Sequence, residues 1–84
     1  MTLIVEPTKT LSEIKTGDLV TLHSITVGRE LTSRLTSLGL TPGAKVEVLQ
    51  NFGRGPIIVN VRGTHVALGR GEARKLLVTE SKQS

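Results

Sequence analysis

The sequence predicts a mainly β domain: a small five-stranded barrel with one α-helix inserted. Three observations carry this. Short runs of alternating apolar and polar residues recur through the second half of the chain, separated by Gly, Pro and polar pairs. Only one stretch, near the middle, has clear helical spacing. And 84 residues make one small domain, for which rolling short strands into a barrel is the economical way to hide their edges.

Residues 1–9 read as an arm or lead-in strand, residues 10–79 as the barrel, and residues 80–84 as a polar tail. Thr10-Leu11-Ser12-Glu13 has capping-box spacing and predicts a single helical turn. Lys15-Thr16-Gly17-Asp18 reads as a turn. Residues 19–27 are rich in branched side chains and lie between Gly17 and Gly28, which predicts a strand. Leu31, Leu35 and Leu38 then fall at i, i+4 and i+7, one face of a helix. Gly39 stands where a helix ends in a left-handed residue, and Leu40 can pack back on the last turn. Thr41-Pro42-Gly43-Ala44 follows with the residues of a type II turn.

Beyond that turn the period changes to two. Val46 and Val48 oppose Lys45 and Glu47; Ile57, Val59 and Val61 alternate with Ile58, Asn60 and Arg62; Val66 and Leu68 share a face. Phe52-Gly53-Arg54-Gly55-Pro56 reads as a hairpin tip. Gly63-Thr64 is a tight connection. Gly69-Arg70-Gly71 breaks a strand, residues 72–75 are expected to form one helical turn, and residues 76–79 a closing strand.

Composition excludes several classes. Leu, Ile and Val make up 26 residues, so the chain is too apolar for a disordered tail. With no cysteine there is no disulfide scaffold, zinc knuckle, iron–sulfur site or thiol nucleophile. The apolar runs reach three residues, as in Leu3-Ile4-Val5, far short of the ~20 that span a bilayer. No signal-peptide pattern is present, so a cytoplasmic chain without membrane insertion is expected. The net charge is +4, with basic residues scattered; Arg74-Lys75 is the one adjacent pair. That pattern reads as a solvated surface, and no nucleic-acid partner is expected. Phe52 is the sole aromatic, which excludes a stacking platform for single strands and an aromatic groove for proline-rich peptides.

Chemistry is sparse. The glycines fit neither the phosphate-binding loop nor the dinucleotide pattern. His23 and His65 each stand alone in a predicted strand, and both read as exposed structural residues rather than metal ligands. No paired carboxylates or nucleophilic set is apparent. The expectation is a non-enzyme with no catalytic, cofactor or metal residues. Phe52 has two readings: a plug for one end of the barrel, favoured because single apolar residues usually go inside, or an exposed anchor beside Arg54. Arg34 reads as a solvated residue, as a cation favourable to its helix C-terminus, or as the mate of an acidic partner.

Arg34-Leu35, Leu38-Gly39-Leu40 and Pro42-Gly43 together resemble the R-L-x-x-L-G-L-x-P-G signature of the ferrous iron transport protein A family. Leu11-Ser12-Glu13-Ile14 with Gly17, then Gly55-Pro56, Val61-x-Gly63, Val66-Ala67-Leu68, Glu72-Ala73 and Leu77-Val78 agree with its surroundings, so the resemblance covers residues 10–79. Gly69 departs from the arginine that the family often carries after Ala-Leu, so no functional cation is carried over to that position. Val20 stands where a small residue is common. The resemblance implies an SH3-like barrel and a small cytosolic accessory of the ferrous iron permease, a membrane protein with a cytosolic GTP-binding domain. Docking there would bring the chain to the inner face of the membrane. Arg29, Ser33, Arg34, Phe52 and Arg54 are the candidate partner contacts. Leu35, Leu38, Gly39, Leu40, Pro42 and Gly43 form the structural motif. The alternative is a stand-alone metal-responsive adaptor barrel, related to the C-terminal domain of metal-dependent repressors.

Overall fold

A computed structural model describes residues 9–26 and 28–80. Six strands form one antiparallel sheet in the order β1-β6-β2-β3-β4-β5. They are β1 (Lys9–Thr10), β2 (Leu19–Ile25), β3 (Lys45–Gln50), β4 (Ile57–Val61), β5 (Thr64–Leu68) and β6 (Leu76–Glu80). Helix α1 (Arg29–Ser37) lies between β2 and β3, and the short α2 (Arg70–Ala73) between β5 and β6. The sixth strand, beyond the five expected, is the two-residue β1, at the end of the predicted lead-in. Residues 1–8, Val27 and the tail from 81 lie outside the described residues.

The period-two pattern places the core. Val20 and Leu22 of β2, Val46 and Val48 of β3, and Ile57, Val59 and Val61 of β4 all face inward and are buried. Val66 and Leu68 of β5 and Leu76 and Val78 of β6 complete the wall. Leu11 and Ile14 are buried with them, so the 3-10 turn Leu11–Glu13 contributes to the core. β2 pairs with β3 through Leu19, Val20 and Thr21 and with β6 along a longer stretch, where the register shifts around His23. One strand thereby serves both halves of the sheet.

The unit from Leu35 to Ala44 has the local geometry its residues specify. Gly39 has φ +98°. Its N–H donates to Thr36 O (3.0 Å) and that of Leu40 to Leu35 O (2.9 Å), the paired bonds of a Schellman cap. Ala44 N–H then donates to Thr41 O (2.9 Å) across Pro42-Gly43, closing the turn. Gly43 N–H reaches Leu22 O (2.8 Å), which docks the unit on β2. Leu35 and Leu40 are both fully buried.

Two expectations need correction. Leu38, on the predicted core face of the helix, is 38% exposed. α1 buries Leu35 and packs Leu31 partly against the core, but the helix ends at Ser37, so Leu38 is its C-cap and no longer continues the helical stripe. The helical turn near the C-terminus runs Arg70–Ala73, two residues earlier than predicted. Gly69 is its N-cap, and Glu72 reaches back to the Gly69 N–H (3.1 Å), which fixes the start.

Candidate functional site

The β3–β4 connection, from Asn51 to Pro56, turns at Gly53 (φ +86°) and Gly55 (φ +75°) and carries Phe52 outward. Phe52 is 74% exposed, so the barrel-plug reading is overturned. The buried Leu11 and Ile14 already belong to the core cluster, and Asn51 turns the chain away before the ring could enter.

Asn51 anchors the loop from within. Its Nδ2 donates to Ile14 O (2.7 Å) and Ser12 O (3.2 Å), and its Oδ1 accepts from Gly53 N–H (3.1 Å). Its backbone N–H donates to Thr16 Oγ1 (2.9 Å), and that hydroxyl donates in turn to Asn51 O (3.2 Å). Arg70 approaches from α2. Its Nη1 donates to Asn51 Oδ1 (3.1 Å) and Gly55 O (3.3 Å), and its Nη2 to Ser12 O (3.1 Å). One guanidinium therefore joins the 3-10 turn, the loop and α2. All its acceptors are neutral, so its charge is not cancelled by a carboxylate. Neither Asn51 nor Arg70 carries a local sequence signal for this role. A Gly-Arg-Gly triplet reads as a strand break, and nothing local reveals that its arginine spans 58 residues to Ser12.

The second candidate surface is α1. Arg29 and Ser33 are exposed. Arg34, also exposed, forms an ion pair and hydrogen bond with Glu72 of α2. The Gly69 N–H and then Arg34 hold the Glu72 carboxyl below its ordinary range. The Thr10 backbone N–H and hydroxyl act likewise on Glu13. The Thr10 hydroxyl also meets that of Ser12 (2.7 Å), and the reach-back bond of the predicted capping box, from the Thr10 N–H to Glu13 Oε2 (3.1 Å), is made. α2 thus holds the tip through Arg70 and α1 through Glu72.

His23 and His65 are exposed. Among the described residues no three His, Asp or Glu side chains gather as a metal-binding group, and no helix is long and apolar enough to cross a membrane.

The FeoA domain model matches residues 9–80. The chain belongs to the FeoA family. A protein from Methanocaldococcus jannaschii named as an Fe(2+) transport protein A is 35% identical over 72 residues, spanning 86% of this chain and 87% of that relative. The crystal structure of an iron uptake regulatory FeoA superposes with a TM-score of 0.80 at 37% identity, covering 89% of this chain and 99% of that one. Stenotrophomonas maltophilia FeoA, solved with zinc and described as an SH3 domain protein, gives a TM-score of 0.76 at 25% identity over 89% and 98% of the two chains. The SH3-like barrel expected from the resemblance is therefore the fold of this FeoA chain. A manganese-dependent transcriptional repressor shares the fold alone: TM-score 0.82 at 22% identity, over 94% of this chain and 45% of the repressor. FeoA proteins are accessories of ferrous iron transport, and that much holds for this chain.

Proposed function

We propose that this chain works in the cytoplasm, docking on the cytosolic GTP-binding part of the ferrous iron permease to support or regulate uptake. The names of its relatives, for Fe(2+) transport and iron uptake regulation, support the transport setting. The observation that carries the docking role is the tip. Burying a Phe side chain stabilises a fold by ~2 kcal/mol, yet Phe52 stands outside on a loop braced by its own Asn51 side chain and by Arg70 of α2. An exposed, pre-set aromatic beside an arginine is what an interface anchor requires.

The contact surfaces in this reading are Phe52 and Arg54 at the tip and the α1 face with Arg29, Ser33 and Arg34. The chain acts by contact and carries no catalytic group, cofactor or resident metal. A net charge of +4 suits an acidic partner, and docking should weaken as salt rises. The test is a titration of isotope-labelled protein with the permease's GTP-binding domain, following backbone amide shifts. Localised shifts at the tip or on α1 are expected. No shift in any nucleotide state, at high concentration, would sink the reading.

A further inference from the structure

The tip is unusual in how it is held. A loop of glycines around an exposed ring would ordinarily sample many conformations, and ordering it on binding would cost affinity. Here that ordering is already done. Asn51 fastens the base of the loop to the carbonyls of Ser12 and Ile14, and Arg70 fixes its far side through Gly55 O. Phe52 projects from this frame at 74% exposure. Among the described residues no carboxylate meets Arg54 or Arg70, so the tip is a ring flanked by two uncompensated cations.

We propose that Phe52 enters an apolar pocket on the partner, that a carboxylate at the pocket rim meets Arg54, and that Asn51 and Arg70 are positioning residues for this anchor. The inference rests on the permease reading above and adds the chemistry of the contact. A protein pocket fits better than a lipid surface for two reasons. One ring gives little area for insertion into a bilayer. The exposed charges that alternate with the bracing residues, Glu13 and Lys15, are of opposite sign and give an anionic bilayer no uniform basic face, whereas a shaped pocket can leave both on its rim.

The experiment measures binding of the permease's cytosolic GTP-binding domain to the full chain and to Phe52→Ala, Arg54→Gln, Arg70→Gln, Asn51→Ala and the Phe52→Ala/Arg70→Gln double variant. Amide spectra of each check that the barrel is intact, and Asn51→Ala serves if Arg70→Gln does not fold. Phe52→Ala should weaken binding at least ~30-fold, as loss of a hot spot does. Arg54→Gln should cost about 5- to 10-fold and flatten the salt dependence. Arg70→Gln should cost about 5-fold, with faster amide exchange at Phe52, Gly53, Arg54 and Gly55. In the Phe52→Ala background it should cost nothing more, because it acts through the ring. A general structural role would give the same factor in both backgrounds and would overturn the assignment of Arg70. Wild-type binding that Phe52→Ala retains within twofold overturns the anchor and leaves the permease reading standing. No binding by the wild type overturns the permease reading and the anchor with it. Capture of the wild type, but not Phe52→Ala, by phosphatidylglycerol vesicles, with domain binding unchanged, assigns the tip to lipid and also overturns the proposal.

Discussion

Two turn regions of this molecule are held by opposite means. Between Leu35 and Ala44 the chain is pinned by backbone hydrogen bonds that mostly reach partners within five residues, with Leu35 and Leu40 buried beneath. Between Asn51 and Pro56 it is pinned by side-chain hydrogen bonds, from its own Asn51 to the carbonyls of Ser12 and Ile14, with Thr16, and from Arg70 of α2, across 15 to 39 residues, and its one large apolar side chain faces solvent. The first region belongs to the fold: damage there should unfold the domain. The second is added to a fold already complete without it, and damage there should loosen a surface while the barrel survives. Such a separation allows a recognition loop to vary at small cost to stability.

The largest effect expected on this contrast is at Leu35. Leu35→Ala should cost about 3 kcal/mol, since the side chain is fully buried and is the main contact of α1 with the core. That is a large share of the roughly 5–10 kcal/mol available to a domain of this size. Urea unfolding should show a lower midpoint. Phe52→Ala in the same assay should be nearly neutral. An equal loss at the two sites would erase the distinction between the regions.

Glycine substitutions sharpen it. Gly39 (φ +98°) and Gly53 (φ +86°) both occupy backbone conformations that disfavour a side chain. A Cβ at Gly39 would sit at ordinary contact distance, 3.5 Å, from Arg62 Cδ, and one at Gly53 would meet nothing within 4 Å. Space is therefore not the issue at either site. Gly39→Ala should cost the full left-handed penalty, about 1–2 kcal/mol, because the cap is bound into the core. Gly53→Ala should cost under ~1 kcal/mol globally, because the tip can relax without moving a strand. Asn51→Ala comes next, with about 1 kcal/mol from the lost bonds to Ser12 O and Ile14 O. Hydrogen exchange should accelerate at the amides of Phe52, Gly53, Arg54 and Gly55 and stay slow in β4.

The same contrast explains what could be read in advance. The cap and turn were legible because Leu35, Gly39, Leu40, Pro42 and Gly43 carry their own instructions within a few residues. The strands were legible because burial on one face imposes a period of two. The outward turn of Phe52 was not, because apolarity argues for burial and only the brace beneath decides otherwise. Arg70 and Asn51 were not, because their partners are backbone carbonyls distant in sequence, which have no residue signature. The exposure of Leu38 depended on where α1 ends, which periodicity does not encode. Arg34 reads from the sequence equally as a solvated residue, a helix-end cation or the mate of an acidic partner; that it meets Glu72 follows only from the placement of α2.

The smallest effect concerns that pair, and it tests whether α2 couples the two regions. Glu72 and Glu13 both titrate below the ordinary value of 4.5 in the folded chain, Glu72 chiefly through the Gly69 N–H and then Arg34, Glu13 through Thr10. A carboxylate whose folded pKa is depressed adds stability that is present above about pH 4.5 and lost as pH falls through the folded pKa. Stability should therefore drop on acidification below that point. Glu72→Gln should cost less than ~1 kcal/mol at neutral pH, because the ion pair is partly exposed, and it should make the acid drop shallower. High salt should weaken the Arg34 contribution and leave that of the Gly69 N–H, so Arg34→Ala in high salt should match the wild type in high salt more closely than Glu72→Gln does. If Glu72→Gln keeps the whole acid drop, Glu13 carries it and Glu13→Gln should remove it. If Glu72→Gln also speeds exchange at the tip amides, α2 transmits strain from α1 to the tip, and the two regions are less separate than their bonding implies.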